Sequence, residues 1–288
     1  MDTRLVAVGD FKVATTYHPA PMYADESPLL VALHGGTYTS EYFAVAGGPL
    51  GSFLDVANRN GFDVVSIDRP GYGASDSLPD DENDFPRQAE ILEAVIGSLI
   101  GELRAQTVVL IGHSIGGMVA LEIAARRPSW PLVGVSATGM GARIPAGGAA
   151  EQLGSAPLEG VIDLPVPDRE AVMFGPTGVS EIAREAARAS YAPTPFIELK
   201  LAPVWAKERL DMVAAEVEVP VQNFLAEHDA LWDSTPEAMA DFESRFADGA
   251  GATATLVRGV GHSIDHHLFG AAVHLQQLAF AYTCAIGA

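Results

Sequence analysis

Cysteine is all but missing from this 288-residue chain. Cys284 stands alone, so no intrachain disulfide can form and nothing in the composition speaks for an oxidising compartment. Basic residues are scarce as well: Lys plus Arg number 17 against 37 Asp plus Glu, a formal net charge of −20. Nucleic acids and anionic membrane surfaces are both held by clustered positive charge, so neither is an expected partner. No apolar run approaches the roughly 18 to 20 residues of a membrane-spanning helix. The opening Met1-Asp2-Thr3-Arg4-Leu5 has no basic region leading into an apolar core, as a secretory signal would. The expectation is a cytoplasmic protein. What is present is 48% hydrophobic and 19% charged, the balance of a globular chain with a sizeable core. The length suits one large α/β domain carrying an insertion.

Leu5–Val8 and Phe11–Tyr17 are β-rich runs around Gly9-Asp10, a hairpin signal. Four short, largely apolar runs follow: Leu29–Leu33, Val64–Ile67, Val108–Ile111 and Leu132–Val135. Runs of that length without alternation suit strands buried on both faces, as in a parallel sheet. Helical stretches at Ser52–Asn60, Pro86–Arg104 and Ile115–Arg127 separate them, which predicts a doubly wound, mostly parallel α/β sheet. From Gly139 to about Glu218 the rhythm breaks into Gly and Pro punctuation with helical patterns at Ser180–Ala189 and Val204–Ala215. It resumes with Val219–Leu225, Thr253–Val257 and an amphipathic stretch, His266–Ala281. The predicted organisation is a core domain over residues 1–138 and 219–288, with residues 139–218 inserted as an all-helical cap, or lid, over one sheet edge.

The sharpest local feature is Gly112-His113-Ser114-Ile115-Gly116, a G-x-S-x-G pattern. Chance yields the bare pattern about once in seven chains of this composition, so its setting has to carry the argument. It directly follows a buried strand and opens a helix. There the chain must reverse within a few residues, with the serine hydroxyl projecting from a strained turn. A phosphate-binding loop would occupy the same junction, but neither a Walker lysine nor G-x-G-x-x-G spacing is present.

A serine hydroxyl needs a base, and the base needs an orienting carboxylate. Gly259-Val260-Gly261-His262 follows the strand Thr253–Val257, and Asp229 lies just past the end of Val219–Leu225. In a parallel sheet these strand ends share one edge, so Ser114, Asp229 and His262 can meet. Glu227 and Asp233 are rival acids. His262, Asp265, His266 and His267 invite a metal reading, but His262 sits on a glycine loop and no cysteine or H-E-x-x-H pattern accompanies it. A solvated helix start is expected there, with no metal and no cofactor. Asp68-Arg69-Pro70, with Gly71 and Gly73, reads as a structural turn.

These pieces, with His34-Gly35-Gly36 after the third strand and Asp68-Arg69-Pro70-Gly71-Tyr72-Gly73-Ala74-Ser75 after the fourth, make the whole chain resemble the α/β-hydrolase superfamily. The resemblance is to serine-nucleophile, esterase- or lipase-like members with a helical cap. It implies that Ser114 is the nucleophile, His262 the general base and then acid, and Asp229 the carboxylate that fixes the imidazole. It also implies an oxyanion hole made by the backbone N–H groups of Ile115 and Gly36. Those donors make physical sense. Ile115 opens a helix, whose free N–H groups favour an anion, and Gly36 has no side chain to block close approach. Thr37 is the competing donor if the loop is shifted by one residue. His34, His113 and His228 are assigned to packing and hydrogen bonding.

Serine at this position implies acyl transfer, with carboxylic ester hydrolysis as the first reading. Thioester, lactone or carbon–carbon cleavage, or lyase and cyclase chemistry, would use the same triad, and a ligand-binding role on the same fold stays open. Met140, Met173, Phe174, Tyr191, Phe196 and Trp205 are the expected lining of an apolar pocket over Ser114. The basic residues of the insertion are unclustered, which favours a small, neutral, partly apolar acyl substrate over a coenzyme A thioester.

Overall fold

Apolar residues in the central strands point alternately to two cores, and this is why their sequence shows no alternation. In β3 (Leu29–Leu33), Leu29, Val31 and Leu33 face one core while Leu30 and Ala32 face the other. β5 (Val108–His113) divides in the same way, Val108 and Leu110 against Val109 and Ile111. Such strands need helices on both sides. The computed structural model describes residues 3–21, 27–176 and 178–287, and it supplies them.

The other strands of the main sheet are β1 (Thr3–Val8), β2 (Phe11–His18), β4 (Val64–Ile67), β6 (Leu132–Thr138), β9 (Val221–His228) and β10 (Ala252–Gly261). The eight run in the order β1-β2-β4-β3-β5-β6-β9-β10. β2 is antiparallel to β1 and to β4, and every pairing from β4 onward is parallel. One face is covered by α2 (Phe85–Leu103) and α3 (Ile115–Ala125), the other by α1 (Phe53–Arg59) and α10 (Gly270–Ile286), while α9 (Pro236–Arg245) precedes β10. Their ends are set locally. Ser52 and Asp55 form a capping box on α1, and the Asp84 carboxylate accepts the Arg87 N–H at the start of α2.

Between β6 and β9 the chain leaves the sheet. It forms α4 (Ala149–Gly154), α5 (Val166–Phe174), α6 (Glu181–Ala189), α7 (Phe196–Glu208) and α8 (Leu210–Glu216). This segment is not all helix: β7 (Val161–Ile162) and β8 (Thr194–Pro195) pair antiparallel within it. The stretch read as one helix, Val204–Ala215, is divided between α7 and α8 at Arg209. β6, β9 and β10 outrun their apolar runs because polar residues and glycines complete them, as where Ser136 donates to Gln222 across the sheet. α10 begins at Gly270, not His266, because Ile264–His266 is a tight 3₁₀ turn.

Candidate active site

Ser114 joins β5 to α3 with φ 52° and ψ −120°, a left-handed backbone that a non-glycine residue adopts only under constraint. The constraint is visible in its neighbours. A Cβ on Gly112 would lie 2.5 Å from Gly117 Cα, and one on Gly116 would lie 2.0 Å from the Leu33 carbonyl oxygen. The two glycines of the pattern are therefore required by close approach. The Ser114 N–H donates to Thr138 O at 2.8 Å, tying the turn to the end of β6.

Past the end of β9, the Asp229 carboxylate accepts the N–H groups of Leu231 (2.9 Å) and Trp232 (3.1 Å) through Oδ1. It faces His262 Nδ1 at 2.9 and 3.1 Å, both side chains being buried. A carboxylate can only accept, so Nδ1 carries the proton and Nε2 is left bare. Nε2 is buried without a hydrogen-bond partner among the described residues, and none joins it to Ser114 Oγ. The rival acids are occupied elsewhere: Glu227 accepts the Gly259 N–H and Asp233 the Thr235 N–H.

Ser114, Ile115, Gly36 and Thr37 line one small cavity that opens to solvent. Its remaining lining is apolar and includes Met118, Ile144, Leu153, Leu199, Leu231 and Trp232. Gly36 and Thr37 both line the cavity, so its geometry does not choose between their N–H groups, and Thr37 has φ 67° with its hydroxyl buried and without a partner among the described residues. Of the six side chains expected over Ser114, Met173 alone lines this cavity. Met140 packs against Gly117, and Phe174 lies under the Arg184 guanidinium beside His266 and His267. Tyr191 meets Tyr38 edge to face beneath Arg169, and Phe196 is fully buried. Trp205 donates its indole N–H to buried Glu122 at 2.7 Å. Large aromatics went to the core because they bury the most area. The cavity instead took medium aliphatic residues from α3, α4 and α7, and Leu231 and Trp232 from the loop carrying Asp229, for which the sequence offers no periodic signal.

The expected solvated helix start at His262–His267 is instead a buried network. The Asp265 carboxylate accepts from Tyr42 (2.6 Å), Thr138 (3.2 Å) and His274 (3.1 Å). Despite burial, those partners hold its carboxyl well below the usual carboxylate range. His113 bonds Thr138 at 3.1 Å, stacks on Tyr42, and packs beside His262 with ring centroids 5.0 Å apart. Burial, then the neighbouring His262, keeps His113 well below its ordinary pKa and hence neutral. His266 Nε2 donates to Tyr42 O, and His267 Nε2 accepts the Gly261 N–H. The ring nitrogens that face a partner are thus spent on the fold. Among the described residues no group of three or more His, Cys, Asp or Glu is arranged to hold a metal ion, and no helix is long and apolar enough to cross a membrane.

Solved structures of similar shape include a soluble variant of monoglyceride lipase from Saccharomyces cerevisiae, 15% identical, with a TM-score of 0.73 over 98% of this chain and 94% of that one. Proline iminopeptidase from Mycobacterium smegmatis is 18% identical, with a TM-score of 0.68 over 99% of both chains. An E-2-(acetamidomethylene)succinate hydrolase is 18% identical, with a TM-score of 0.70 over 97% and 98%. At these identities the likeness is one of fold. No curated protein sequence matches the chain. Residues 30–274, however, match the family model described as the alpha/beta hydrolase family, and with that match spanning most of its length the chain belongs to that family.

Proposed function

We infer that this protein is a serine hydrolase that cleaves a carboxylic ester through Ser114, His262 and Asp229. The observation that carries the reading is the buried pairing of Asp229 with His262 Nδ1, which leaves a bare Nε2 at the sheet edge where the strained Ser114 turn lies. In the proposed reaction, Nε2 takes the Ser114 hydroxyl proton as Oγ attacks the ester carbonyl. The Asp229 carboxylate holds the tautomer and stabilises the imidazolium that forms. The developing oxyanion is met by the N–H of Ile115 and that of Gly36. The protonated imidazole then gives its proton to the departing alcohol, and a water activated by the same nitrogen releases the acid. Unliganded catalytic hydrogen bonds are often long, so the open Ser114–His262 contact is one that substrate binding has to close.

The cavity lining supports a neutral acyl group of small to medium size. The Ser114 and Thr37 hydroxyls and the Trp232 indole N–H are the only polar side-chain groups among its lining residues, and no charged side chain lines it. A free amine or a carboxylate buried there would go unpaired, at a cost of several kcal/mol. Turnover of p-nitrophenyl butyrate by the purified chain tests the reading. Ser114→Ala should lower kcat by at least about a thousandfold, and a fluorophosphonate should label Ser114. Absence of ester turnover together with absence of labelling would overturn it, as would an active Ser114→Ala variant. Stoichiometric ligand binding without turnover would point to the receptor role instead.

A further inference from the structure

The turn after β4 was read as structural, yet its Arg69 is completely buried and reaches across to the loop that carries Gly36. Arg69 Nε donates to His34 O at 2.8 Å and Nη2 to Gly35 O at 3.3 Å. The Arg69 N–H also donates to His34 Nε2 at 3.0 Å, which fixes the tautomer. The proton must then sit on Nδ1, which donates to the same Gly35 oxygen at 2.7 Å. Burial, followed by the Arg69 charge, keeps His34 neutral and holds it in that form.

Two donors thus grip one carbonyl, and that carbonyl belongs to the peptide unit that ends in the Gly36 N–H. A trans peptide is planar, with its oxygen and its N–H pointing opposite ways. Fixing the oxygen fixes the direction of the hydrogen.

The other side of the Arg69 fork faces Glu198 on α7. Glu198 Oε1 accepts from Arg69 Nη1 (3.0 Å) and Gln88 Nε2 (2.6 Å); Oε2 accepts from Arg69 Nη2 (2.9 Å) and the Tyr72 hydroxyl (2.7 Å). Both charged side chains are fully shielded from solvent. A buried ion pair adds little stability over well-packed apolar residues of the same volume. What it adds here is direction, since a planar fork held bidentately has one orientation. The next residue, Leu199, lines the cavity and lies 3.4 Å from where a Gly36 Cβ would be.

We propose that Glu198 is a positioning residue which, through Arg69, couples the seating of α7 over the cavity to the aim of the Gly36 N–H. Because this rests on the hydrolase reading, its test is built to separate the two. The full-length chain is compared with Glu198→Gln and with Tyr72→Phe, which keeps the ring packing and removes only the hydroxyl. The readouts are kcat per active site, titrated with a p-nitrophenyl phosphonate; KM for p-nitrophenyl butyrate; and Ki for phenylboronic acid, whose tetrahedral adduct places an oxygen at the oxyanion position.

Removing an oxyanion donor outright costs about 10² to 10³ in kcat, so a misaimed one in Glu198→Gln should cost at least about tenfold. KM should stay within about threefold, and Ki should rise in step with the fall in kcat. Tyr72→Phe should move the same two quantities by about threefold. A merely structural role would reduce the number of titrated sites and leave kcat per site and Ki unchanged. That result would overturn the proposal, and Tyr72→Phe decides alone if Glu198→Gln does not fold. A wild-type chain without turnover or labelling would remove the hydrolase reading and this proposal with it. An active wild type with unaffected variants removes this proposal only.

Discussion

Acid should destabilise this protein while its carboxylates are still ionised, and His266 sets the scale. Its ring is completely buried, and Nε2 lies 3.1 Å from the Tyr42 carbonyl, which can only accept. The proton therefore sits on Nε2, and Nδ1 is bare, buried and unpartnered. Charging that ring places a cation where nothing can receive its new N–H. Burial accordingly pushes the pKa from 6.5 down to about 4, against the pull of the Asp265 carboxylate. Between those two values the unfolded chain binds a proton that the native state does not. Stability is therefore fully present above pH 6.5, falls as pH drops below it, and loses nothing more from this residue below about 4. At 1.36 kcal/mol per pH unit the loss is roughly 3 kcal/mol, a large share of a typical 5 to 15 kcal/mol. His34 and His113, also held well below 6.5 by burial, act in the same direction. Asp265, held low by its partners despite burial, contributes stability that is lost only below its unperturbed value of 3.8, outside this window. Urea midpoints at pH 7.5, 6.5, 5.5 and 4.5 should fall steadily, and His266→Gln should make the decline shallower. A midpoint constant across the series, or a His266→Gln slope as steep as wild type, would refute the reasoning.

Other perturbations follow from single contacts. Glu122→Leu removes the acceptor of the buried Trp205 indole N–H and two bonds from Arg209. An orphaned buried donor costs about 1 to 3 kcal/mol, so the urea midpoint should drop with the m-value unchanged. An unmoved midpoint would mean that α3 and α7 are not joined through this carboxylate. Leu153→Trp fills the cavity from α4. It should raise KM for octanoyl esters by at least about tenfold, roughly the discrimination a few methylenes provide, and leave acetate esters nearly unchanged. Equal effects on both chain lengths would place the acyl chain elsewhere. Gly116→Ala drives a Cβ to 2.0 Å from the Leu33 carbonyl oxygen, a backbone atom that cannot yield. Circular dichroism should show loss of the native fold or a large fall in Tm, and a wild-type melt would contradict the close approach.

The sheet was legible because burial on both faces leaves a signature that polar neighbours cannot mask: Leu29–Leu33 and Val64–Ile67 begin and end where the apolar runs do. The strand that leads to Asp229 was harder to bound. Its last residues, Glu227 and His228, are polar and exposed, so the hydrophobic pattern stops before the strand does. The candidate site residues that glycines flank, Ser114 and His262, stand out because tight turns demand glycine. Asp229, with no glycine beside it, differs from Glu227 in the sequence only by its place after a strand; in the structure it faces His262 at 2.9 Å, whereas Glu227 accepts the Gly259 N–H. The lining of the cavity was hidden for a different reason. Its aromatic residues are more valuable as core than as lining, and composition does not say which way a helix turns its large side chains.

Arg69 and Glu198 show what no local pattern can reveal. They stand 129 positions apart, one in a turn and one on a helix, and each taken alone is an ordinary charged residue. Only their joint burial makes them informative, because a charge without its partner would be intolerable at that depth. The same holds for Asp265 and His274, nine positions apart on either side of the start of α10. Arg69 reaches the Gly35 carbonyl directly through its guanidinium and again through His34, whose Nε2 accepts the Arg69 main-chain N–H, while Asp265 reaches the end of β6 through Thr138. The strained serine turn and the gripped glycine loop are thus backed by polar networks whose geometry is fixed by hydrogen-bond direction as well as by packing. At these two places a departure from an apolar interior gives an N–H or an imidazole a fixed heading, which directional hydrogen bonds do more sharply than packing.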